Sequence, residues 1–83
     1  MTIKILGTGC ANCKRLEQLT ISAVAELNLQ ADIQKVEDIK SIMSYGILST
    51  PALVINEVVV SQGKIPVLST LKHWLEQYAH SEA

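Results

Sequence analysis

The segment Gly7-Thr8-Gly9-Cys10-Ala11-Asn12-Cys13 constrains this chain most, because the period of the apolar residues changes across it. Before it, Thr2 to Leu6 is a short run rich in Ile and Leu that stops at Gly7, the pattern of a buried strand. After it, Cys13, Leu16, Leu19, Ala23, Val24 and Leu27 recur at helical spacing, with Lys14, Glu17, Gln18 and Ser22 mostly outside the stripe. Gly7 and Gly9 permit a tight backbone between strand and helix. Cys10 therefore falls at or just before the first helical turn. Both cysteines of the protein lie in this Cys-x-x-Cys pair.

Such a pair can be a staple, a metal clamp or a redox centre. A disulfide closing so short a loop stabilises a fold by only about 2 kcal/mol before strain is subtracted. Secreted domains instead bridge distant segments and use more cysteines. Soft thiolates at this spacing suit Cu(I) or zinc, so a metal-binding or metal-chaperone module is the alternative to a redox centre. His73 and His80 do not complete a zinc site, since they stand at the far end of the chain and two turns apart on a helix; they read as surface residues, and no metal site is expected.

Eighty-three residues make one small domain, residues 1–83 with a core of about 2–79. There is no Phe, so Leu, Ile and Val must fill that core. A net charge of −1 without a basic run argues against a nucleic-acid partner. Met1 to Leu6 is too short for a signal peptide, and nowhere do eighteen apolar residues run together. The expectation is a soluble cytoplasmic protein with no membrane partner.

Ala31 to Glu37 reads as a second strand. Asp38 caps a short helix on which Ile39, Ile42 and Met43, with Tyr45, read as core, and Gly46 is placed to stop it. Thr50-Pro51 opens the run Ala52 to Ile55, and Asn56-Glu57 separates it from Val58 to Val60. The pair reads as a hairpin, although Glu57 is not the glycine that a type I′ turn prefers. Gly63 ends the second strand, and Pro66 fits the first turn of a final helix carrying Val67, Leu68, Leu71, Trp74, Leu75 and Tyr78 on one stripe. Residues His80 to Ala83 read as a frayed tail.

The order β, Cys-x-x-Cys, α, β, α, Thr-Pro, β, β, α resembles the thioredoxin fold, and in particular the small, glutaredoxin-sized thioredoxin-like proteins of prokaryotes known for a redox-active disulfide. The residues that carry the resemblance are Gly7 to Cys13, Tyr45-Gly46, Ser49 to Asn56, and Gly63 with Pro66. It implies an α/β fold in which a four-stranded mixed sheet is flanked by helices, its first two strands parallel and its hairpin antiparallel. It also implies a cis peptide at Thr50-Pro51 beside the dithiol, with Thr50 and Pro51 offering backbone groups to an extended substrate. Heavy-metal-associated domains share the Cys-x-x-Cys loop but read β-α-β-β-α-β, without this terminal helix or Thr-Pro. The chain departs from thioredoxin in the dipeptide Ala11-Asn12, in lacking a Trp before Cys10, and in carrying Lys4 six residues ahead of Cys10, where thioredoxin has a buried acid. The proton acceptor for Cys13 thus has no assignment from sequence.

A helix N-terminus favours the thiolate that disulfide exchange needs. Cys10 is accordingly expected to be the nucleophile with a depressed pKa, Cys13 the buried resolving thiol, and Asn12 and Lys14 the thiolate-stabilising residues. The activity expected is thiol–disulfide oxidoreduction with no cofactor beyond the Cys10–Cys13 redox-active disulfide. The resemblance implies disulfide-bearing protein substrates, a thioredoxin reductase-like or glutathione electron donor, and a monomer.

Overall fold

A computed structural model describes residues 1–81. Seven elements follow in the order β1 (Thr2–Leu6), α1 (Ala11–Glu26), β2 (Asp32–Val36), α2 (Ile39–Ser44), β3 (Ala52–Ile55), β4 (Val58–Gln62) and α3 (Leu68–Ser81). The strands form one sheet in the order β2-β1-β3-β4. β1 pairs in parallel with β2, as a strand followed by a crossover helix must, and the other two pairings are antiparallel. This is the α/β arrangement of a four-stranded mixed sheet flanked by helices, in the thioredoxin-like order.

Alternation along β1 sorts its side chains to the two faces. Ile3 and Ile5 join Leu16, Ala23, Leu53, Ile55, Leu71 and Leu75 in a core under α1 and α3. Leu6 joins Ile42, Ile47, Ala52 and Val54 in a second core under α2. β3 is buried along its whole length, which explains the unbroken apolar run Ala-Leu-Val-Ile. Thr20, which the apolar stripe of α1 passes over, is fully buried as well; its hydroxyl donates to the Leu16 carbonyl at 2.8 Å and so enters the core satisfied.

Several sequence expectations shift. Only Ile42 of α2 is buried, whereas Ile39 and Met43 are exposed, Met43 by 67%. A helix of six residues beside a sheet turns one narrow stripe inward, and Ile39 and Met43, four positions apart, share the outer one. α3 starts at Leu68, with Val67 accepting the N–H of Leu71, so Pro66 precedes the helix and Val67 stays exposed. The tail expected to fray from His80 continues the helix to Ser81, while Glu82 and Ala83 lie outside the described residues. The hairpin turn is tight despite Glu57: Asn56 and Glu57 both take positive φ, 50° and 67°. β4 carries a bulge, because Leu53 pairs with Ser61 but Val54 pairs with Val59, leaving Val60 as the extra residue.

Candidate active site

The dithiol sits where β1 hands over to α1. Cys10 is the N-cap of α1, in extended backbone conformation, and its sulfur accepts the N–H of Cys13 at 3.2 Å while its carbonyl accepts the N–H of Lys14 at 3.0 Å. A cysteine thus takes the capping place usually held by Ser, Thr, Asp or Asn. Both cysteines are free thiols, Cys10 exposed and Cys13 buried at 5% exposure.

These positions push the two thiols in opposite directions. Cys10 is held below the ordinary cysteine range, first by hydrogen bonding from the Cys13 thiol, then by the Cys13 N–H and, more weakly, the Asn12 N–H; desolvation opposes the shift. Cys13 is pushed up, first by its burial and then by hydrogen bonding to Cys10. The contribution of Asn12 comes from its backbone N–H. Lys14 lines the cavity beside Cys13.

The two glycines are dictated by the site. A Cβ on Gly7 would overlap the Cys13 sulfur, so only glycine lets the backbone lie against it. Gly9 has φ 86°, the left-handed region, and starts the reversal into the helix. The N–H of Gly7 donates to the Val36 carbonyl at 3.0 Å, extending the β1–β2 ladder past the end of β1. A cavity of about 80 Å³ opens beside Cys13, lined by Ile5, Gly7, Gly9, Lys14, Glu17, Lys35 and Glu37.

Thr50 and Pro51 stand beside the same loop. The Thr50–Pro51 peptide is cis, and the Thr50 side chain is 3.9 Å from where a Gly7 Cβ would be. The Pro51 carbonyl accepts the N–H of Gly63 at 2.9 Å, which ties this loop to the end of β4. Just before it, Leu48 is 96% exposed and its N–H donates to the Gln62 side chain at 3.0 Å.

Lys4 lies elsewhere. It projects from the α2 face of β1, where its ammonium donates to the Tyr45 hydroxyl at 2.8 Å and to Glu57 at 2.7 Å. The β1 residue that faces the Cys13 cavity is Ile5. Counting back from Cys10 thus leads to the wrong face of the strand. Sequence reasoning also passed over Glu37, a polar residue at a strand end whose place beside the dithiol depends on the β1–β2 pairing.

Among the described residues, no group of three or more His, Cys, Asp or Glu side chains converges as a metal-holding cluster, and no helix is long and apolar enough to cross a membrane.

Comparison with known proteins agrees with this geometry. Residues 1–76 match the family model described as thioredoxin domain. A thioredoxin of Methanocaldococcus jannaschii is 36% identical over 78 residues, covering 94% of this chain and 90% of the relative. A thioredoxin of Methanothermobacter thermautotrophicus is 33% identical over 72 residues, covering 87% and 94%. The structure of thioredoxin 1 from the thermophilic eubacterium Thermosipho africanus aligns with a TM-score of 0.62 over 99% of this chain and 98% of its own, at 15% identity, a likeness of fold. With its strand order, its helix-capping Cys10 and these relatives, the chain belongs to the thioredoxin domain family and is a thiol–disulfide oxidoreductase.

Proposed function

We propose that this protein exchanges disulfides with protein partners through Cys10 as nucleophile and Cys13 as resolving thiol. The observation that carries the reading is the asymmetry of the pair: an exposed, helix-capping sulfur with a depressed pKa next to a buried one with a raised pKa. The Cys10 thiolate attacks a substrate disulfide, forming a mixed disulfide and expelling one substrate thiolate. Cys13, once deprotonated, attacks the Cys10 sulfur and releases the second substrate thiolate, leaving Cys10–Cys13 oxidised. No cofactor other than that disulfide takes part.

Thr50 and Pro51 offer backbone groups to an extended substrate segment alongside Cys10. The Asn12 N–H assists the thiolate, and the Lys14 ammonium adds positive charge in the same turn. The protein works as a cytoplasmic monomer, re-reduced by a thioredoxin reductase-like enzyme or by glutathione.

Removal of the resolving thiol tests the order of attack. Cys13→Ser incubated with a disulfide-bearing protein should accumulate a covalent adduct at Cys10, detected by mass spectrometry and released by dithiothreitol. Cys10→Ser should accumulate none. Adducts forming equally well at Cys13 in the Cys10→Ser protein would reverse the assignment.

A further inference from the structure

The resolving step just proposed sets a problem that the geometry of the site addresses. Cys13 is buried and its thiol is pushed up, so at neutral pH it carries a proton that must leave before its sulfur can attack. The way out is the cavity beside it, which is wide enough to admit water. Four charged side chains line that cavity: Lys14 and Glu17 from α1, and Lys35 and Glu37 from β2 and the residue that follows it. Cys10, its partner in the reaction, also acts on Cys13 through a hydrogen bond.

Ammonium groups cannot accept a proton, which leaves two carboxylates. Glu17 is engaged by Lys35, at 3.8 Å. Glu37 makes no ion pair or hydrogen bond with a described side chain, and its Oε2 lies 3.5 Å from the position of a Gly9 Cβ. The Gly7-Thr8-Gly9 loop is therefore bracketed, with the Cys13 sulfur against Gly7 and the Glu37 carboxylate against Gly9. The Gly7–Val36 hydrogen bond holds this arrangement, because it fixes the residue next to Glu37 against the loop.

We infer that Glu37 is the base that receives the Cys13 proton through the cavity when the mixed disulfide is resolved. This rests on the reading of Cys10 as nucleophile and Cys13 as resolving thiol. In the step, the Cys13 S–H proton passes by way of water to the Glu37 carboxylate, and the Cys13 sulfur forms a bond to the Cys10 sulfur. The bond from Cys10 to the substrate sulfur breaks, and its electron pair leaves on the substrate thiolate. That thiolate is protonated by solvent, and Glu37 returns its proton to water. Two electrons pass from the dithiol to the substrate. Reversal makes Glu37 the acid that reprotonates Cys13.

Charge alone and base action make opposite predictions. If Glu37 acted only by its charge, neutralising it would remove a repulsion on the nascent Cys13 thiolate and speed resolution. As a base, its loss slows resolution.

The experiment uses full-length protein carrying a 2-nitro-5-thiobenzoate group preformed on Cys10, with release of the chromophore followed by stopped flow from pH 5 to 9. Wild type should release it in a first-order step absent from Cys13→Ser. Glu37→Gln should release it about tenfold or more slowly near pH 6.5, with the deficit closing as hydroxide takes over at high pH. Glu37→Asp should recover part of the rate, and Glu17→Gln should match wild type. Circular dichroism and attack of Cys10 on the free reagent should be unchanged in Glu37→Gln, which separates base action from a folding defect. An equal or faster rate in Glu37→Gln overturns the inference and leaves the dithiol reading intact. Wild type that shows no Cys13-dependent release overturns both.

Discussion

The backbone of Gly7 lies directly against the sulfur of Cys13, with no room for a β-carbon between them. The glycine that ends β1 therefore also sets how deep the second thiol sits. Replacing it acts on the dithiol through packing alone.

Gly7→Ala should displace Cys13 or the start of α1. Overpacking a filled site costs about 1–3 kcal/mol, which for a chain of this size is on the order of 4–8 °C in Tm per kcal/mol. Thermal unfolding of the reduced protein measures it. A variant as stable as wild type, with unchanged Cys13 alkylation, would contradict the contact.

The reactivity of Cys10 should titrate early. Its alkylation rate by iodoacetamide should rise with a midpoint below the free-thiol value of about 8.5. Because the Cys13 thiol is the leading source of the depression, Cys13→Ala should move that midpoint upward. The same shift makes a stability statement. A depressed pKa means that ionised Cys10 stabilises the reduced fold above the free-thiol pKa, and that this stabilisation is lost as pH falls through the folded-state pKa. Denaturant midpoints of wild type and Cys10→Ala across this range supply the check.

Lys4, Tyr45 and Glu57 form a clasp between β1, the end of α2 and the hairpin turn. The Glu57 carboxyl is held below its usual range, chiefly by hydrogen bonding from Lys4, and Lys4 is raised above its own, chiefly by hydrogen bonding to Glu57. Wild type should therefore exceed Glu57→Gln in stability at neutral pH. The advantage is present above the free-carboxylate pKa of about 4.3 and is lost as pH falls through the depressed one. On the alkaline side it should persist past the ordinary lysine range of about 10.4, disappearing only as pH rises through the raised Lys4 pKa. Urea unfolding at pH 3, 7 and 11 reads these limits, and an advantage that does not change between pH 7 and 3 would rule out the pair as its source.

Ser61, beside the β4 bulge, buries a hydroxyl that has no hydrogen-bond partner among the described residues. Burying such a group costs about 1–3 kcal/mol. Ser61→Ala should accordingly raise the denaturant midpoint while leaving disulfide exchange unchanged. A lower midpoint would show that the hydroxyl is satisfied in solution.

Most of the fold was legible in sequence because its signals are local. The run Ala52 to Ile55, the change of period at Cys10 and the stripe through Leu71 and Leu75 each announce an element within a few residues. Glu37 and Lys4 were not legible, since what each side chain meets depends on pairing between distant strands. Lys4 is one position from the cavity-facing residue, and one position on a strand reverses the face. Thr20 and Met43 show the same limit from the other side: polarity did not keep Thr20 out of the core, nor did an apolar side chain bring Met43 into it. Burial was decided by which face of each helix met the sheet. At the dithiol, the sequence indicated a helix end but could not show that the Cys10 sulfur itself caps it.

That cap couples the state of the sulfur to the order of the backbone. The atom that accepts the Cys13 amide is the one proposed to bond to substrate, and a neutral disulfide sulfur is a weaker acceptor than a thiolate. On that reading, the first turn of α1 should be held less tightly in the mixed disulfide than in the free thiolate. Amide hydrogen exchange at Cys13 should consequently act as a built-in gauge of the site, slower in the free thiolate and faster in a protein holding its substrate.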